Sequence, residues 1–369
     1  DLRQNPENSY AYGQLGLALL QRVRVTADPT LYLQSEQALN EALARDPEQL
    51  DALVGKGILA LGRHEFEEAL EWADKAWAIN PFYADTLGIM VDAQVELGRY
   101  DEAVATLQRM IDLRPGVPSY SRVSYLRELH GDVEGAIKEM GRAVDAAVPG
   151  SESWLWSQVQ LGHLHFNSGD LDQAQALYEE ALRLDPAYAY AQAGVARVHT
   201  ARGRDEEAIA AYRAIVERLP LPEFVIALGE LYEARGEHAE ANLQYSLLQA
   251  MQQLNADAGM NVDMELALFD ANHGDDPAEA LRLARAAYER RPGIYGADTL
   301  AWALYHAGDL DEARRYSDEA LRLGTRDALL YYHAGKIAHA LGDESAVIRH
   351  LEKALQINPY FSPLYAPEA

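Results

Sequence analysis

The stretch from Ser168 to Pro186, SGDLDQAQALYEEALRLDP, decides the fold of this chain. Its glycine, Gly169, suits the end of a helix, because glycine accepts the positive φ of a helix C-cap without steric cost. Ala174, Tyr178 and Ala181 follow at spacings of four and three, which places them on one face of the next helix. The closing Asp-Pro dipeptide ends that helix, because proline pushes the residue before it out of the α region. The stretch therefore predicts a turn, a helix with a small-residue face, and a stop.

This pattern recurs along the chain at intervals of about 33 to 38 residues, a period typical of helical repeat arrays. The turn glycines are Gly62, Gly98, Gly131, Gly169, Gly203, Gly236, Gly274, Gly308 and Gly342. The alanines that open the inner face of each second helix are Ala69, Ala103, Ala136, Ala174, Ala208, Ala241, Ala280 and Ala313. The small residues seven further on are Ala42, Ala76, Ala143, Ala181, Ala287, Ala320 and Ala354, and the closing prolines are Pro47, Pro81, Pro115, Pro186, Pro220, Pro292 and Pro359.

On these residues the chain resembles the tetratricopeptide repeat family, whose units of about 34 residues are helix–turn–helix pairs. The resemblance covers nearly all 369 residues. It implies an all-α fold, a right-handed α-solenoid of about ten helix–turn–helix repeats. We expect one solenoid over residues 1–359, with a tail or partial cap over 360–369. The expected repeats are 9–47, 50–81, 84–115, 117–149, 155–186, 189–220, 222–255, 261–292, 294–325 and 328–359.

Three repeats depart from the pattern. We expect a longer loop, Val23–Thr30, in the first repeat, and a second helix that runs on to about Gln253 in the seventh. The fourth repeat is the loosest, because Gly135 and Gly141 lie in its second helix and glycine costs about 1 kcal/mol there relative to alanine. A hinge, if the array has one, is expected near residues 145–152.

Composition excludes several classes of function. The formal charge is −26, with 58 acidic and 32 basic residues, which disfavours nucleic acids and anionic membranes as partners and favours basic ones. The absence of cysteine excludes disulfides, thiolate metal sites and cysteine nucleophiles. No apolar run approaches the roughly 18 residues that span a bilayer. Because the first residue is Asp1 rather than methionine, we expect a trimmed or mature form, and the compartment stays open.

The resemblance implies that the first helices line a concave groove, with exposed residues at the second, fifth, ninth, twelfth and thirteenth places of each repeat. From the fourth repeat onward these places carry rings and isolated charges, the usual composition of recognition surfaces. The predicted partner-binding residues are Arg122, Tyr125, Trp156, His163, Asn167, Tyr190, Arg197, Glu230, Glu265, Phe269, Asp298, Trp302, Tyr305, His306, Tyr332, Lys336 and His339.

The groove residues predict a non-catalytic scaffold that holds a protein or peptide, and for Trp156, Trp302 and Tyr332 recognition and packing are equally expected. We expect alanine at Trp302 or His163 to weaken binding and to leave thermal stability nearly unchanged. Some members of the family clamp a terminal carboxylate with lysine and asparagine at the fifth and ninth places. Here only Arg197 and Lys336 are basic at a ninth place, which argues against that clamp.

Enzyme signatures are missing from the sequence. Gly55-Lys56 and Gly335-Lys336 lack the rest of a phosphate-binding loop, and His64-Glu65 lacks the second histidine of a zinc-protease motif. We therefore predict no enzyme, no cofactor and no bound metal. Two alternatives to the scaffold stay open: a small-ligand or metal carrier that uses the aromatic and histidine residues of repeats eight to ten, and a self-association module that involves Leu15 or Leu364.

Overall fold

A computed structural model of the chain describes residues 5–26, 28–257, 263–274 and 276–369, and these residues form helices, turns and no strand. The all-α prediction is confirmed. The α-helices in the described residues are α1 (Ser9–Thr26), α2 (Thr30–Arg45), α3 (Leu50–Gly62), α4 (Phe66–Ile79), α5 (Ala84–Glu96), α6 (Tyr100–Leu113), α7 (Val117–Leu129), α8 (Val133–Ala146), α9 (Glu152–Asn167), α10 (Leu171–Leu184), α11 (Ala189–Ala201), α12 (Asp205–Arg218), α13 (Pro222–Ala234), α14 (His238–Asp257), α15 (Asp263–His273), α16 (Pro277–Arg290), α17 (Ile294–Ala307), α18 (Leu310–Ala320), α19 (Ala328–Ala340) and α20 (Glu344–Ile357). A 3₁₀ turn, Ala366–Glu368, follows α20.

Consecutive helices pack in pairs, as the repeat pattern predicts. The first helix of a pair packs against the second, as in α9 with α10 and α11 with α12, and it also contacts the first helix of the following pair, as in α9 with α11. Second helices also pack against the next first helix, as α10 does on α11 and α12 on α13. These contacts between neighbours in the sequence are the arrangement of a repeat array.

The chain divides into two compact units. The first comprises Asp1–Pro115, Gln252–Leu266 and Arg285–Gly293, and the second comprises Gly116–Met251, Ala267–Ala284 and Ile294–Ala369. The expected hinge at residues 145–152 lies inside the second compact unit, where α8 packs directly on α9. The prediction of one continuous solenoid over residues 1–359 stays a prediction.

The glycine turns form by local hydrogen bonding. After α9, Gly169 has a φ of +81°, and its N–H donates to the carbonyl of Phe166 at 2.9 Å while Asp170 N–H reaches back to His165 at 2.9 Å. The Asp170 carboxylate then accepts from Gln173 N–H at 3.2 Å and caps α10. The quoted stretch therefore ends one helix and starts the next with its own residues.

Two of the nine turn glycines differ from this arrangement. Gly62 is the last residue of α3, and the left-handed position two residues later is taken by His64, with a φ of +60°. Gly274 also lacks a positive φ. The turn pattern of the second repeat is therefore shifted by two residues from the predicted register.

In repeats one and seven the helix ends lie within about four residues of the positions predicted from the sequence. The helix α1 runs to Thr26, four residues beyond the expected end, so the connection is shorter than the predicted loop. Asp28 lies just before α2, and its carboxylate accepts from Thr30 N–H at 3.0 Å. The expectation of a long second helix in the seventh repeat is confirmed, and α14 ends at Asp257, four residues beyond the expected Gln253.

Alanine seams join the helices of a pair. The alanines of the quoted stretch, Ala174 and Ala181, are completely buried, as are Ala69, Ala103, Ala136 and Ala208 at the equivalent places. Their small side chains let the facing helix approach closely. Tyr178, also completely buried, fills the space that remains beside the seam.

Tyr178 lies against two glycines of the first helices. A Cβ atom added at Gly162 of α9 would lie 2.4 Å from the tyrosine ring, and one added at Gly194 of α11 would lie 2.7 Å from it. Neither distance is possible without movement. These two glycines therefore make room for the ring, and one side chain of α10 fixes the positions of α9 and α11.

We predict opposite effects for the same substitution at two helical glycines. Gly194→Ala should lower the free energy of unfolding by about 1–2 kcal/mol, because overpacking outweighs the gain in helix propensity. Gly141→Ala in α8 should raise it by about 1 kcal/mol, because a Cβ there meets nothing within 4 Å. Urea unfolding of both variants and the wild type measures the two shifts. Equal stabilisation by both would contradict the close packing of Tyr178.

Candidate functional site

A cavity of about 910 Å³ lies in the second compact unit, between the faces of α9, α11 and α13 and the segment from Pro359 to Pro367. Its lining follows helical spacing: α11 contributes residues 190, 194, 197 and 201, and α13 contributes residues 223, 227, 230 and 234. Residues three and four apart share one helix face. The cavity is therefore built by the first helices of repeats five to seven, where the groove was predicted. We call it the groove cavity.

Arg197 is the cationic group of the cavity wall. Its guanidinium carbon lies 4.0 Å from the centroid of the Phe166 ring, a cation–π contact. Across the described residues it forms no ion pair or hydrogen bond. By contrast, Arg202, five residues further along the chain, pairs with Asp172. The donors of Arg197 are thus available to an anionic group that enters the cavity.

His163 lines the cavity beside Arg197 and is uncharged near neutral pH. Its Nδ1 lies 2.8 Å from the Tyr178 hydroxyl. Burial, together with the positive charge of Arg197, lowers the pKa of His163 to about 3. Burial raises the pKa of Tyr212, another lining residue, to about 12. Both groups are therefore neutral hydrogen-bonding groups in the same cavity wall as Arg197.

Aromatic and acidic side chains complete the lining. The rings of Tyr190 and Phe224 meet edge to face with centroids 5.6 Å apart. Glu230 lies farther along α13, and its carboxylate is 3.5 Å from Nε2 of His273. Of the predicted residues, His163, Tyr190, Arg197 and Glu230 are thus brought together in one cavity.

A second acidic residue joins His273 outside the cavity. Glu233 lies 3.2 Å from its Nδ1, and Glu233 accepts a hydrogen bond from the Tyr245 hydroxyl at 2.6 Å. Histidine and carboxylate side chains are common metal ligands. Among the described side chains, however, no group of three or more potential ligands could hold a metal ion.

The structure corrects the expectation for Trp302. This residue is 3 % exposed, its indole N–H donates to Asn272 at 2.7 Å, and its ring stacks on His333 with centroids 4.1 Å apart. The ring of Tyr305 also stacks on it, with centroids 4.9 Å apart. Trp302 is therefore a core residue, since the rings of its own and the next repeat cover it.

Asp298 is also buried, with 4 % of its surface exposed. Its carboxylate lies 2.8 Å from Nδ1 of His333, which is itself completely buried. The contact with His333 offsets the cost of burying the carboxyl group, which explains why an acidic residue can occupy an inner position. His306 and His339, by contrast, are exposed.

Two of the three predicted residues of repeat ten, Tyr332 and Lys336, contact Glu368 near the end of the given sequence. Tyr332 is 1 % exposed, and its hydroxyl donates to the carboxylate of Glu368 at 2.9 Å. Lys336 donates to the same carboxylate at 3.3 Å. Tyr332 is thus buried by residues outside the repeat pattern rather than by an adjacent repeat alone.

The remaining predicted residues lie elsewhere. Arg122 donates to the carbonyl of Pro118 in its own helix at 2.8 Å, and Tyr125 and Trp156 are each 38 % exposed. Phe269 is buried against Tyr245, with ring centroids 5.2 Å apart. Two others make polar contacts: Asn167 hydrogen-bonds Glu128, and Glu265 pairs with Arg291 at 3.0 Å in the first compact unit.

Sequence reasoning missed Phe166, Tyr212 and the segment from Pro359 to Pro367. Tyr212 stands 34 residues after Tyr178, so the repeat period itself could have identified it as the equivalent ring. The terminal segment carries Tyr360, Phe361, Leu364 and Tyr365 within ten residues. That density of large apolar side chains indicates a segment that packs against something.

Comparison with known sequences decides the family. Sequence models of the tetratricopeptide repeat match residues 30–84, 60–124, 159–221, 294–326 and 328–361, which together span more than half of the chain. The chain belongs to the tetratricopeptide repeat family. Membership supports a protein-interaction scaffold as the general role of this tetratricopeptide repeat protein.

A curated relative of this chain has low sequence identity to it. Cellulose synthase operon protein C of Pseudomonas fluorescens (strain SBW25) is 24% identical over 232 residues, which cover 58% of this chain and 18% of that protein. The chain therefore spans less than a fifth of the length of this curated relative.

Two solved structures are similar to this chain. The human IFIT1 dimer with PPP-AAAA is 16% identical with a TM-score of 0.51, over 80% of this chain and 69% of that chain. TTC0263, a TPR protein of Thermus thermophilus, is 21% identical with a TM-score of 0.46, over 52% of this chain and 98% of that chain. At 16% identity the likeness to the IFIT1 chain concerns the fold alone.

Within the described ranges, no helix combines the length and the apolar character that crossing a bilayer requires.

We predict that replacing two tryptophans, both of which the sequence places in the groove, lowers the free energy of unfolding by different amounts. Trp302→Ala should lower the free energy of unfolding by about 3–5 kcal/mol, because it empties a packed site and leaves Asn272 without its partner. Trp156→Ala should cost about 1 kcal/mol or less, because that ring is partly exposed. Chemical denaturation of both variants measures the difference. Similar small losses in both would show that Trp302 is not a core residue.

Proposed function

We propose that this tetratricopeptide repeat protein is a non-catalytic scaffold that holds an extended segment of a partner protein in the groove cavity. The observation that supports this most directly is Arg197, a cation without an ion-pair partner among the described residues, in the wall of a cavity of about 910 Å³. An arginine in such a position gains strong hydrogen bonds from an incoming carboxylate.

The surroundings of Arg197 determine what kind of segment fits. Phe166 covers one face of the guanidinium, and Tyr190 and Phe224 add apolar surface along the wall. Because His163 is neutral, Arg197 is the cationic group that faces an acidic side chain there. The preferred segment therefore carries an aspartate or glutamate next to apolar or aromatic residues.

The close seam between α9, α10 and α11 supports tight binding. Tyr178 fixes both first helices through Gly162 and Gly194, so the wall is in place before the partner arrives. A preformed surface loses less conformational entropy on binding than a flexible one. The formal charge of −26 attracts basic regions of the same partner at longer range. Arg197 in the groove cavity recognises one acidic residue of that partner at short range.

The two alternatives have less support. In a carrier, the rings of repeats nine and ten would have to face a ligand, whereas Trp302 and Tyr332 are buried. For self-association, the two leucines would have to be accessible to a second copy of the chain. Leu15 is 41% exposed and meets this condition, whereas Leu364 is half-buried and meets it only in part.

We predict that peptides selected on this chain from a random library contain an acidic residue and require Arg197. Arg197→Gln should raise their dissociation constants at least tenfold, because a charge-assisted hydrogen bond is lost. Arg202→Gln is the matched control, since Arg202 pairs with Asp172 away from the cavity, and should change them less than twofold. Fluorescence anisotropy gives the constants. Equal binding by the wild type and Arg197→Gln would contradict the proposal, as would a selection that enriches no sequence.

A further inference from the structure

The last eleven residues, 359–369, begin at the closing proline of repeat ten and continue past it, and we call them the tail segment. Its backbone bonds are local: Tyr360 N–H donates to Oδ1 of Asn358 at 2.9 Å, Ser362 Oγ accepts from the N–H groups of Leu364 and Tyr365, each at 3.2 Å, and Ala366 N–H donates to the Ser362 carbonyl at 3.2 Å. In the described residues no backbone hydrogen bond joins this segment to the groove helices. Side chains alone therefore hold it in place.

These side chains bind the groove face of repeat ten. The rings of Phe361 and Tyr365 lie 5.7 and 5.1 Å from the ring of Tyr332. Glu368 accepts hydrogen bonds from the Tyr332 hydroxyl at 2.9 Å and from Lys336 at 3.3 Å. Tyr332 and Lys336 stand at the fifth and ninth places of the repeat, where the family resemblance places partner contacts.

The tail segment also reaches the other helices of the groove. A Cβ added at Gly169, after α9, would lie 3.6 Å from Cδ of Pro359. Burial and the nearby carboxylates of Glu230, Glu233 and Glu368 raise the pKa of Tyr365. The segment thus lies across the groove cavity from α9 to α13 and α19, yet it makes no ion pair with Arg197 among the described residues.

The occupied groove shows which chemistry it accepts. Two aromatic residues four apart and a carboxylate three residues further on, Phe361, Tyr365 and Glu368, are bound by Tyr332 and Lys336. The segment contacts the groove through its side chains, and its residues from Phe361 to Ala366 are half-buried. None of its carboxylates forms an ion pair with Arg197 among the described residues. A segment that made the same contacts and also gave a carboxylate to Arg197 would bind better.

We propose that the tail segment is an internal competitor that occupies the groove until a partner segment with the pattern aromatic-x₃-aromatic-x₂-acid displaces it. This inference rests on the proposed function, because it names the partner chemistry of the same groove. A competitor in the same chain acts at an effective concentration of about millimolar. It therefore raises the affinity that a partner needs.

The test uses a fluorescein-labelled peptide with the sequence of residues 360–369, YFSPLYAPEA, and the full chain. The wild type should bind this peptide weakly, because its own segment competes. The double variant Phe361→Ser, Tyr365→Ser should bind it at least tenfold more tightly. Fluorescence anisotropy gives both dissociation constants, and circular dichroism confirms that the variant is folded. A change below twofold would overturn the inference.

A charge exchange tests the contact itself. In the double variant, Lys336→Glu should weaken binding of the peptide at least tenfold, and a peptide in which the residue equivalent to Glu368 is lysine should restore it. Failure of this rescue would overturn the assignment of the peptide to the tail site. Phe82→Ser, which removes a ring that is 77 % exposed in the first compact unit, is the matched control and should leave the wild-type constant unchanged.

A second variant covers the case in which the double variant does not fold. Glu368→Lys places a positive charge beside Lys336 and keeps both rings, and it should tighten peptide binding about threefold. No tightening by Glu368→Lys would count against the inference. If library peptides depend on Arg197 while the tail variants bind like the wild type, the competitor is excluded and the groove function stands. If neither library peptides nor YFSPLYAPEA bind any form of the chain, both proposals fail.

Discussion

The contact of Tyr178 with Gly162 and Gly194 is the constraint on which the groove depends. Alanines at the seam bring α10 close to its neighbours, and the tyrosine ring fills the space where the two first helices lack a side chain. Dense packing of this kind resists small displacements, because every shift opens a void or creates a clash. The inward faces of α9 and α11 are therefore held at fixed positions, and they form one wall of the cavity that the tail segment borders.

Electrostatics in this groove differ from those of the surface. The chain carries an excess of 26 negative charges, yet the wall beside α9 holds Arg197 without a counterion among the described residues. Burial keeps His163 neutral, so the positive charge stays concentrated on one group. A charge in the wall of a binding site contributes to the choice of partner through electrostatic complementarity. A scaffold can in this way combine long-range attraction of basic proteins with local choice of an acidic residue.

The tail segment gives this arrangement a second property. Its rings and its carboxylate bind Tyr332 and Lys336, while its backbone bonds are local. Contacts through side chains alone are exchanged more easily than a β-ladder or a docked helix. Occupation of the groove by the chain itself is therefore compatible with later occupation by another protein.

Periodicity predicts the helices and the alanine seams because both depend on residues three to seven apart in the sequence. It does not distinguish Arg197 from Trp302, which stand at the same ninth place of their repeats. Arg197 borders a cavity, whereas Trp302 is covered by His333 of the next repeat. Tyr332 is covered by Phe361 and Tyr365, which obey no repeat rule. Exposure in the groove thus depends on contacts between distant segments, and only the structure shows them.

Native-state amide hydrogen exchange tests the central claim most directly. Opening free energies vary along a chain, and exchange reports them residue by residue. We expect strong protection of the amides of α9, α10 and α11 around the Tyr178 seam, together with exchange at least a hundredfold faster for the bonded amides of Tyr365, Ala366 and Glu368. Equal protection of the tail segment and the seam would contradict a rigid groove that is covered by a detachable segment.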